Sequence, residues 1–262
     1  MDRRTLEDLA DFIRTSKKAA SLTGAGISVP SGIPDFRSEN GLWRRYNPEI
    51  YGSYQQFVQD PSYFWEMHID VMHLIEKASP NPAHRALAVL EERGILTGII
   101  TQNIDGLHQK AGSRTVYELH GTNESCSCTI CGKNYRTAVI AERLFSFEKD
   151  ELIKLMRKGK EIPTCNCGGF IKPDIVLFGE LMPNKPFLAA EKLAESCNLL
   201  IVVGSSLQVQ PAASIPFVTK RNKGRLAIIN NEPTSLDWMA DFVLLGRAEE
   251  VLPELVREVG IS

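Results

Sequence analysis

Four cysteines of the 262-residue sequence form two close pairs, and thiolates in such pairs are typical zinc ligands. Two residues separate Cys128 from Cys131, and one residue separates Cys165 from Cys167. Glycines beside both pairs allow the tight turns that these pairs need. Four thiolates leave no open coordination position, so we expect a structural zinc rather than a catalytic one. Cys126 is a rival ligand, and free thiols are the alternative to a metal.

Amide and carboxylate groups come directly after an apolar strand candidate, at Gln102, Asn103 and Asp105. Ligands of open α/β sheets bind beyond the carboxyl ends of the strands, where such groups can form hydrogen bonds with a carboxamide or a ribose. His120 follows the next strand candidate and can act as a general base near neutral pH. Taken singly, the polar turn and the lone histidine also have plain structural interpretations. The remaining histidines are interpreted as structural: His68, His73, His84 and His108.

A glycine turn that contains Gly24 and Gly26 follows the first strand candidate. Dinucleotide-binding turns usually have a third glycine three residues on, but Val29 stands there in this chain. The two glycines alone fit a bare tight turn equally well. The loop beyond them is stiffened by prolines, and it carries Phe36 as a candidate hydrophobic lid and Arg37 as a candidate phosphate contact.

Strand and helix candidates alternate around these polar positions, which predicts a mostly parallel sheet covered on both faces. Asn81 and Pro82 begin a helix as cap and first residue, Pro211 begins another, and Ala248 to Val259 form the last. The apolar strand candidates are 19–23, 96–101, 115–119, 199–203, 226–229 and 241–245.

Two stretches interrupt this alternation and are interpreted as insertions that form a smaller domain. Residues 40–79 are aromatic-rich and predicted to be helical or irregular, whereas 123–171 hold five of the six cysteines and one charged helix candidate. The large domain therefore comprises residues 1–39, 80–122 and 172–262.

The bulk composition is that of a globular protein, with 43% hydrophobic and 24% charged residues. A formal net charge of -2 provides no strong basic field, so we expect no direct binding to nucleic acid. No apolar run is long enough to span a membrane, and the N-terminal residues do not resemble a targeting segment. We therefore expect a cytoplasmic protein without a membrane partner, in whose reducing environment the cysteines bind metal.

Taken together, the motifs resemble those of the sirtuin family of NAD-dependent protein deacylases over about residues 19–230. The motifs are 24–28 with 33–37, 101–108, His120-Gly121, the four cysteines, 172–180 and 204–207. The resemblance implies a Rossmann-like large domain and a small domain composed of a zinc-ribbon module and a helical module. It also implies that acyl-lysine and NAD bind in the cleft between the two.

The resemblance also assigns roles to matching positions. His120, Asn103 and Asp105 are implied to be catalytic, with His120 as the general base. Val29 stands where some relatives have threonine. The implied NAD-binding residues are Gly24, Ala25, Gly26, Val29, Phe36, Arg37, Gln102, Ile104, Asp105, His120, Gly204, Ser205, Ser206 and Asn230. The implied peptide groove consists of Val176, Phe178, Gly179, Glu180, Leu207 and Val209.

The activity implied by the resemblance is NAD-dependent deacetylation of protein lysines, with NAD consumed as a co-substrate. Nicotinamide leaves, the acyl oxygen attacks the ribose, and His120 deprotonates a ribose hydroxyl, so that O-acyl-ADP-ribose and free lysine result. Relatives that favour succinyl groups resemble one another in a Tyr-x-x-Arg pair, which is missing from the corresponding stretch 65–71. We therefore expect acetyl or other uncharged acyl groups. The alternatives are an NAD-dependent protein ADP-ribosyltransferase, a dehydrogenase and a non-enzymatic zinc-ribbon module.

Overall fold

A six-stranded parallel sheet forms the centre of the computed structural model, which describes residues 2–15 and 18–261. Its strands are β1 (Ala19–Thr23), β2 (Leu96–Thr101), β3 (Val116–Glu118), β7 (Leu199–Val203), β8 (Arg225–Asn230) and β9 (Phe242–Leu245). They are arranged in the order β3-β2-β1-β7-β8-β9, and every neighbouring pair is parallel. β1 and β7 are buried along their whole length, because helices cover both faces of the sheet.

The helices of the large domain form two layers, one on each face of the sheet. One layer consists of α1 (Arg3–Thr15), α6 (Pro82–Glu92) and α12 (Ala248–Val259), and the other of α10 (Asn184–Ser196) and α11 (Ile215–Arg221). The short α7 (Leu107–Lys110) follows β2. Within the described ranges, no helix has the length and apolar character needed to cross a membrane.

The aromatic-rich insertion is helical, as predicted. It contains α2 (Leu42–Arg45), α3 (Pro48–Tyr51), α4 (Tyr54–Gln59) and α5 (Ser62–Lys77). These helices share an apolar core with α8 (Thr137–Leu144) and α9 (Lys149–Met156) of the cysteine-rich insertion. The single charged helix predicted for that insertion was therefore wrong, because residues 145–148 break it into two short helices.

A second, three-stranded sheet carries the cysteines. It consists of β4 (Gly121–Cys128), β5 (Asn134–Arg136) and β6 (Ile171–Ile175), antiparallel in the order β5-β4-β6. The domain boundaries proposed from the sequence, at 122/123 and 171/172, fall inside β4 and β6 because both strands continue to the edge of the large domain. The Rossmann-like fold with a smaller inserted domain is confirmed, and the exact division into segments remains a proposal.

Capping explains why α6 begins where it does. The Asn81 side chain accepts a hydrogen bond from the Ala83 N–H at 2.9 Å, and Pro82 occupies the first turn. The predicted helix after Pro211 begins later, since a 3₁₀ turn (Ala212–Ser214) precedes α11.

The first glycine turn packs directly against the loop that follows β7. The Gly26 N–H donates to the Gly204 carbonyl at 2.9 Å, and the Gly24 N–H donates to the Val203 carbonyl at 3.0 Å. A Cβ at Gly24 or Gly26 would lie 2.8 Å from the Gly204 oxygen, closer than side chains tolerate. These glycines are required for close approach of two backbones, which brings the ends of β1 and β7 together.

Candidate active site

One cleft brings most of the predicted site residues together. It lies beyond the carboxyl ends of the central strands, beneath the helical insertion, and its cavity volume is about 270 Å³. The predicted residues that line it are Ala25, Phe36, Arg37, Gln102, Asn103, Ile104, Asp105, His120, Val176, Phe178, Gly179, Glu180 and Val209. The other predicted residues are outside this lining: Gly24, Gly26, Val29, Gly204, Ser205, Ser206, Leu207 and Asn230.

The His120 imidazole is oriented by a backbone carbonyl. Its Nδ1 lies 2.9 Å from the Gln102 carbonyl oxygen, and because a carbonyl only accepts, Nδ1 carries the proton and donates. Nε2 of the neutral ring is then free to accept a proton. Burial lowers the pKa of His120 below its ordinary value, and the Gln102 carbonyl opposes this only in part. His120 is therefore a neutral base held in a fixed tautomer.

A chain of hydrogen bonds links Asn103 to Asp105 through Ser28. Nδ2 of Asn103 donates to the Gly24 carbonyl at 3.2 Å and to Ser28 Oγ at 3.1 Å. Ser28 Oγ then donates to the Asp105 carboxylate at 2.7 Å, which also accepts the Leu107 N–H at 2.9 Å. All three side chains are buried, so their orientations are fixed before any ligand binds.

Ser28 and His84 are two site residues that the sequence reasoning missed. The Nδ1 of His84 accepts from the Asn81 N–H, so Nε2 carries the proton and faces Ser28 Oγ at 3.5 Å. Burial lowers the pKa of His84 to about 4, which keeps the ring neutral. The position of His84 three residues after the Asn81 cap was the only signal in the sequence, and it indicated a helix rather than a site.

The carboxyl ends of β2 and β7 are bridged by polar side chains. The Gln102 side chain donates from Nε2 to Ser205 Oγ at 2.9 Å, and the Leu207 N–H also donates to this oxygen at 3.3 Å. Ser205 is buried, whereas Ser206 is exposed beside it. Asn230 at the end of β8 accepts the Gly246 N–H through its carbonyl at 2.9 Å, so the end of β9 lies at the same edge.

Aromatic rings connect the candidate lid to the candidate peptide groove. The Phe36 ring is 5.1 Å from the ring of Trp43, which in turn is 6.0 Å from Phe178. Phe36 lines the cleft and is 38% exposed, so its ring lies where the cleft meets solvent. Trp43 was missed from the sequence because it lies in the aromatic-rich insertion, for which no site residue was predicted.

The segment 176–180 forms a short extended wall of the cleft. The Val176 N–H donates to the His120 carbonyl at 2.9 Å, which joins this wall to the candidate base. On the helical side, the Phe178 N–H donates to the Gly52 carbonyl at 2.9 Å, and Tyr54 donates back to Phe178 at 3.0 Å. Ser53 and Phe178 form an isolated parallel bridge, so the helical insertion supports this wall of the cleft.

The four predicted metal ligands lie together in space. The sulfur atoms of Cys128, Cys131, Cys165 and Cys167 are all within 4.8 Å of one another. Sγ separations of 3.4 Å and 3.7 Å match those of a tetrahedral thiolate site with Zn–S bonds of about 2.3 Å. These residues fit zinc. The rival Cys126 is outside the cluster, buried against Thr137 Oγ1 at 3.2 Å.

Open parallel sheets of this kind bind nucleotides at their carboxyl edge, where the backbone can approach phosphates. The fold and the cleft define a Rossmann-like nucleotide-binding protein with a structural metal module. The pattern of the Sir2 family matches residues 24–211, and the chain belongs to this family. The resemblance to sirtuins is confirmed.

Relatives match nearly the whole chain. The NAD-dependent protein deacetylase of Sulfolobus acidocaldarius is 44% identical over 96% of this chain and 94% of its own length. The NAD-dependent protein deacylase 2 of Archaeoglobus fulgidus is 44% identical over 95% of this chain and 94% of its own. A solved Sir2 enzyme is 42% identical, with a TM-score of 0.88 and coverage of 99% of both chains. A Sir2 structure with p53 peptide and NAD+ is 37% identical, with a TM-score of 0.86 and coverage of 98% and 99%.

Replacing a clustered cysteine should remove the metal. We expect about one zinc per chain in the wild type and none in Cys165→Ala, since three thiolates leave the tetrahedral site incomplete. Elemental analysis after dialysis measures this, with Cys126→Ala as the control that keeps its zinc. Full zinc content in Cys165→Ala together with unchanged thermal stability would refute the assignment.

Proposed function

We propose that this protein removes acetyl or other uncharged acyl groups from protein lysines, with NAD consumed and O-acyl-ADP-ribose formed. The observation that carries the proposal is the position of His120. Its ring lies in the cleft between the polar carboxyl edge of the sheet and the extended segment 176–180. Relatives named as NAD-dependent protein deacetylases and deacylases support the same reaction.

The NAD side of the cleft is assigned to the sheet edge. The close packing of Gly24 and Gly26 on Gly204 leaves a surface of backbone that phosphates can approach. Gln102 donates to Ser205 Oγ at 2.9 Å, and this fixed pair is assigned to the ribose. Arg37 supplies a positive charge on the loop above. Asn230 lies at the end of β8, on the side proposed for the adenosine.

The nicotinamide side is assigned to Ile104, Asp105 and the buried chain through Ser28. NAD supplies a cationic leaving group whose departure opens the ribose to attack. Phe36 covers this region and excludes water, which would otherwise compete with the acyl oxygen. Asn103, fixed by the Gly24 carbonyl and Ser28, orients the ribose or a water. His120 then takes the proton of a ribose hydroxyl at Nε2, since Nδ1 is held by the Gln102 carbonyl, and this hydroxyl attacks the acyl carbon. One water is consumed as the lysine amine leaves, which completes O-acyl-ADP-ribose.

The peptide is proposed to bind as an additional strand between segments 176–179 and 207–209. Within the described part of the chain, no group donates to the Val176 carbonyl and none accepts from the Gly179 N–H. These backbone groups can therefore pair with a substrate strand. On the opposite wall, Ser235 Oγ donates to the Leu207 carbonyl at 3.1 Å and fixes that loop. Phe178 is 48% exposed and covers one side of the incoming chain.

The acyl end of the cleft is apolar. Met67, Val71 and Ile75 project from one side of α5, and Leu42 and Ile104 close the space opposite them. Among the described residues that line the cleft, the one Lys or Arg is Arg37, which lies at the NAD side. The acyl end therefore offers no cationic side chain that could pair with an acyl carboxylate. Burying an unpaired carboxylate is costly, so neutral acyl groups are favoured.

The partners and location follow the same reasoning. The proposed partners are acyl-lysine proteins or peptides, without nucleic acid or membrane. A cytoplasmic location is supported by the cysteines, since all six are free of disulfides and four are grouped as metal ligands.

Product analysis tests the proposed reaction. With NAD and an acetyl-lysine peptide, we expect mass spectrometry to show lysine peptide, nicotinamide and O-acetyl-ADP-ribose in equal amounts. His120→Ala should lower this turnover by roughly 100-fold or more, the range for loss of a general base. ADP-ribose on protein without deacylation would replace the proposal with ADP-ribosyl transfer, and NADH formation would replace it with a dehydrogenase.

Acyl selectivity tests the apolar end of the cleft. We expect kcat/KM for a succinyl peptide to be at least about 10-fold below that for an acetyl peptide, because its carboxylate is buried unpaired.

His68 and Val71 lie one helical turn apart and both line the cleft, so His68→Tyr with Val71→Arg should raise the ratio of succinyl to acetyl turnover. Val139→Arg on α8, 57% exposed, is the control. A wild type that prefers succinyl peptide would contradict the proposal.

A further inference from the structure

Lys172 of β6 precedes the segment 176–179 proposed to receive the peptide, Glu180 follows it, and their charged groups pair with each other. The ammonium nitrogen of Lys172 is 3.1 Å from Oε2 of Glu180. The side chains are only 13% and 20% exposed, so this is a largely buried ion pair. Glu180 also lines the cleft, so the pair lies directly beside the space where a substrate would lie.

Both members of the pair also bind the backbone of the segment. Lys172 Nζ donates to the carbonyls of Pro173 at 3.1 Å and Ile175 at 2.6 Å, where β6 ends. Glu180 Oε2 accepts the Leu177 N–H at 2.8 Å. One ion pair thus ties the last residues of β6 to the turn at the far end of the segment.

The turn itself is closed by the same residues. The Glu180 N–H donates to the Leu177 carbonyl at 3.0 Å, and Gly179 adopts a left-handed conformation with φ of 90°. Both backbone groups of Leu177 are consequently used inside the protein. Phe178 is held by Gly52 and Tyr54, which leaves the Val176 carbonyl and the Gly179 N–H for a partner strand.

We propose that Lys172 and Glu180 are a positioning pair that holds segment 176–179 in its peptide-receiving conformation before substrate binds. This inference rests on the proposed function, and it replaces direct peptide contact by the Glu180 carboxylate with an indirect role. A preformed strand does not need to be ordered by the peptide, so less binding free energy is lost. The pair should therefore act on peptide affinity and leave NAD binding and the chemical step unchanged.

The test compares Lys172→Met, Glu180→Gln and the double variant with the wild type. We expect each single variant to raise peptide KM by about 10-fold, because removing one partner leaves the other charge buried and unpaired. The double variant should have a peptide KM no higher than that of either single variant, since both substitutions break the same ion pair. kcat and the KM for NAD should stay within about 2-fold of wild type, and Lys172→Arg should restore most of the peptide affinity.

Binding of a labelled acetyl peptide, measured by fluorescence anisotropy without NAD, gives an affinity that does not depend on turnover. Failure of wild-type deacylation would refute the proposed function, whereas unchanged peptide affinity in the variants would refute only the positioning pair. Lys220→Met is the matched control, because Lys220 forms a similar ion pair, with Asp241 at 2.8 Å. Like Glu180, Asp241 also accepts a backbone N–H, which comes from Leu226 at 2.8 Å. This control lies at the opposite edge of the sheet and should not change peptide KM.

Two results would overturn the inference. One is a multiplicative loss in the double variant, which would mean that the two residues act separately. The other is a Glu180→Gln effect confined to peptides with basic residues beside the acyl-lysine, which would mean that the carboxylate contacts the substrate directly. Peptides with neutral and basic flanks are therefore measured in parallel.

Discussion

The ends of β1 and β7 approach so closely at Gly24, Gly26 and Gly204 that no side chain fits between them. This contact sets the position of the loop that carries Ser28 and Phe36 relative to the sheet. It also places the Gly24 carbonyl where Asn103 can donate to it. Any side chain at these glycines would push the first loop away from β7, and the buried chain from Asn103 to Asp105 would lose its geometry.

The rest of the site is assembled from elements that are far apart in sequence. His120 is oriented by a carbonyl of the β2 loop, and its own carbonyl accepts a hydrogen bond from the Val176 N–H of the substrate segment. That segment is supported in turn by Gly52 and Tyr54 of the helical insertion. The base, the proposed peptide strand and the small domain are therefore joined by consecutive backbone hydrogen bonds. The zinc-type cysteine cluster lies beside the second sheet, at the end of β4, where it can stabilise the insertion without entering the cleft.

Local signals explain what could be predicted from the sequence. The continuous apolar run Leu199–Val203 and the Asn81 cap both appear in the structure where the sequence indicated. The paired cysteines could be recognised because zinc ligands recur at short spacings. Ser28 and His84 could not be recognised as neighbours, because 56 residues separate them in the sequence. Only the packing of α6 against the first loop brings them together. The ion pair between Glu180 and Lys172 could not be predicted either, since a pairing across a turn is not visible in a linear motif.

The central claim is that His120 acts as a neutral base, and the pH dependence of acyl transfer in a single turnover tests it most directly. Burial lowers the pKa of His120 from its ordinary value of 6.5, so the unprotonated ring persists as the pH falls through 6.5. Burial also lowers the pKa values of His84 and His108, to about 4 and about 3, so these rings stay neutral at pH 6.5 as well. The account predicts that the rate of lysine release falls along an acid limb whose midpoint lies below pH 6.5, and that this acid limb disappears in His120→Ala. An acid limb at or above pH 6.5, or one retained in His120→Ala, would contradict the account.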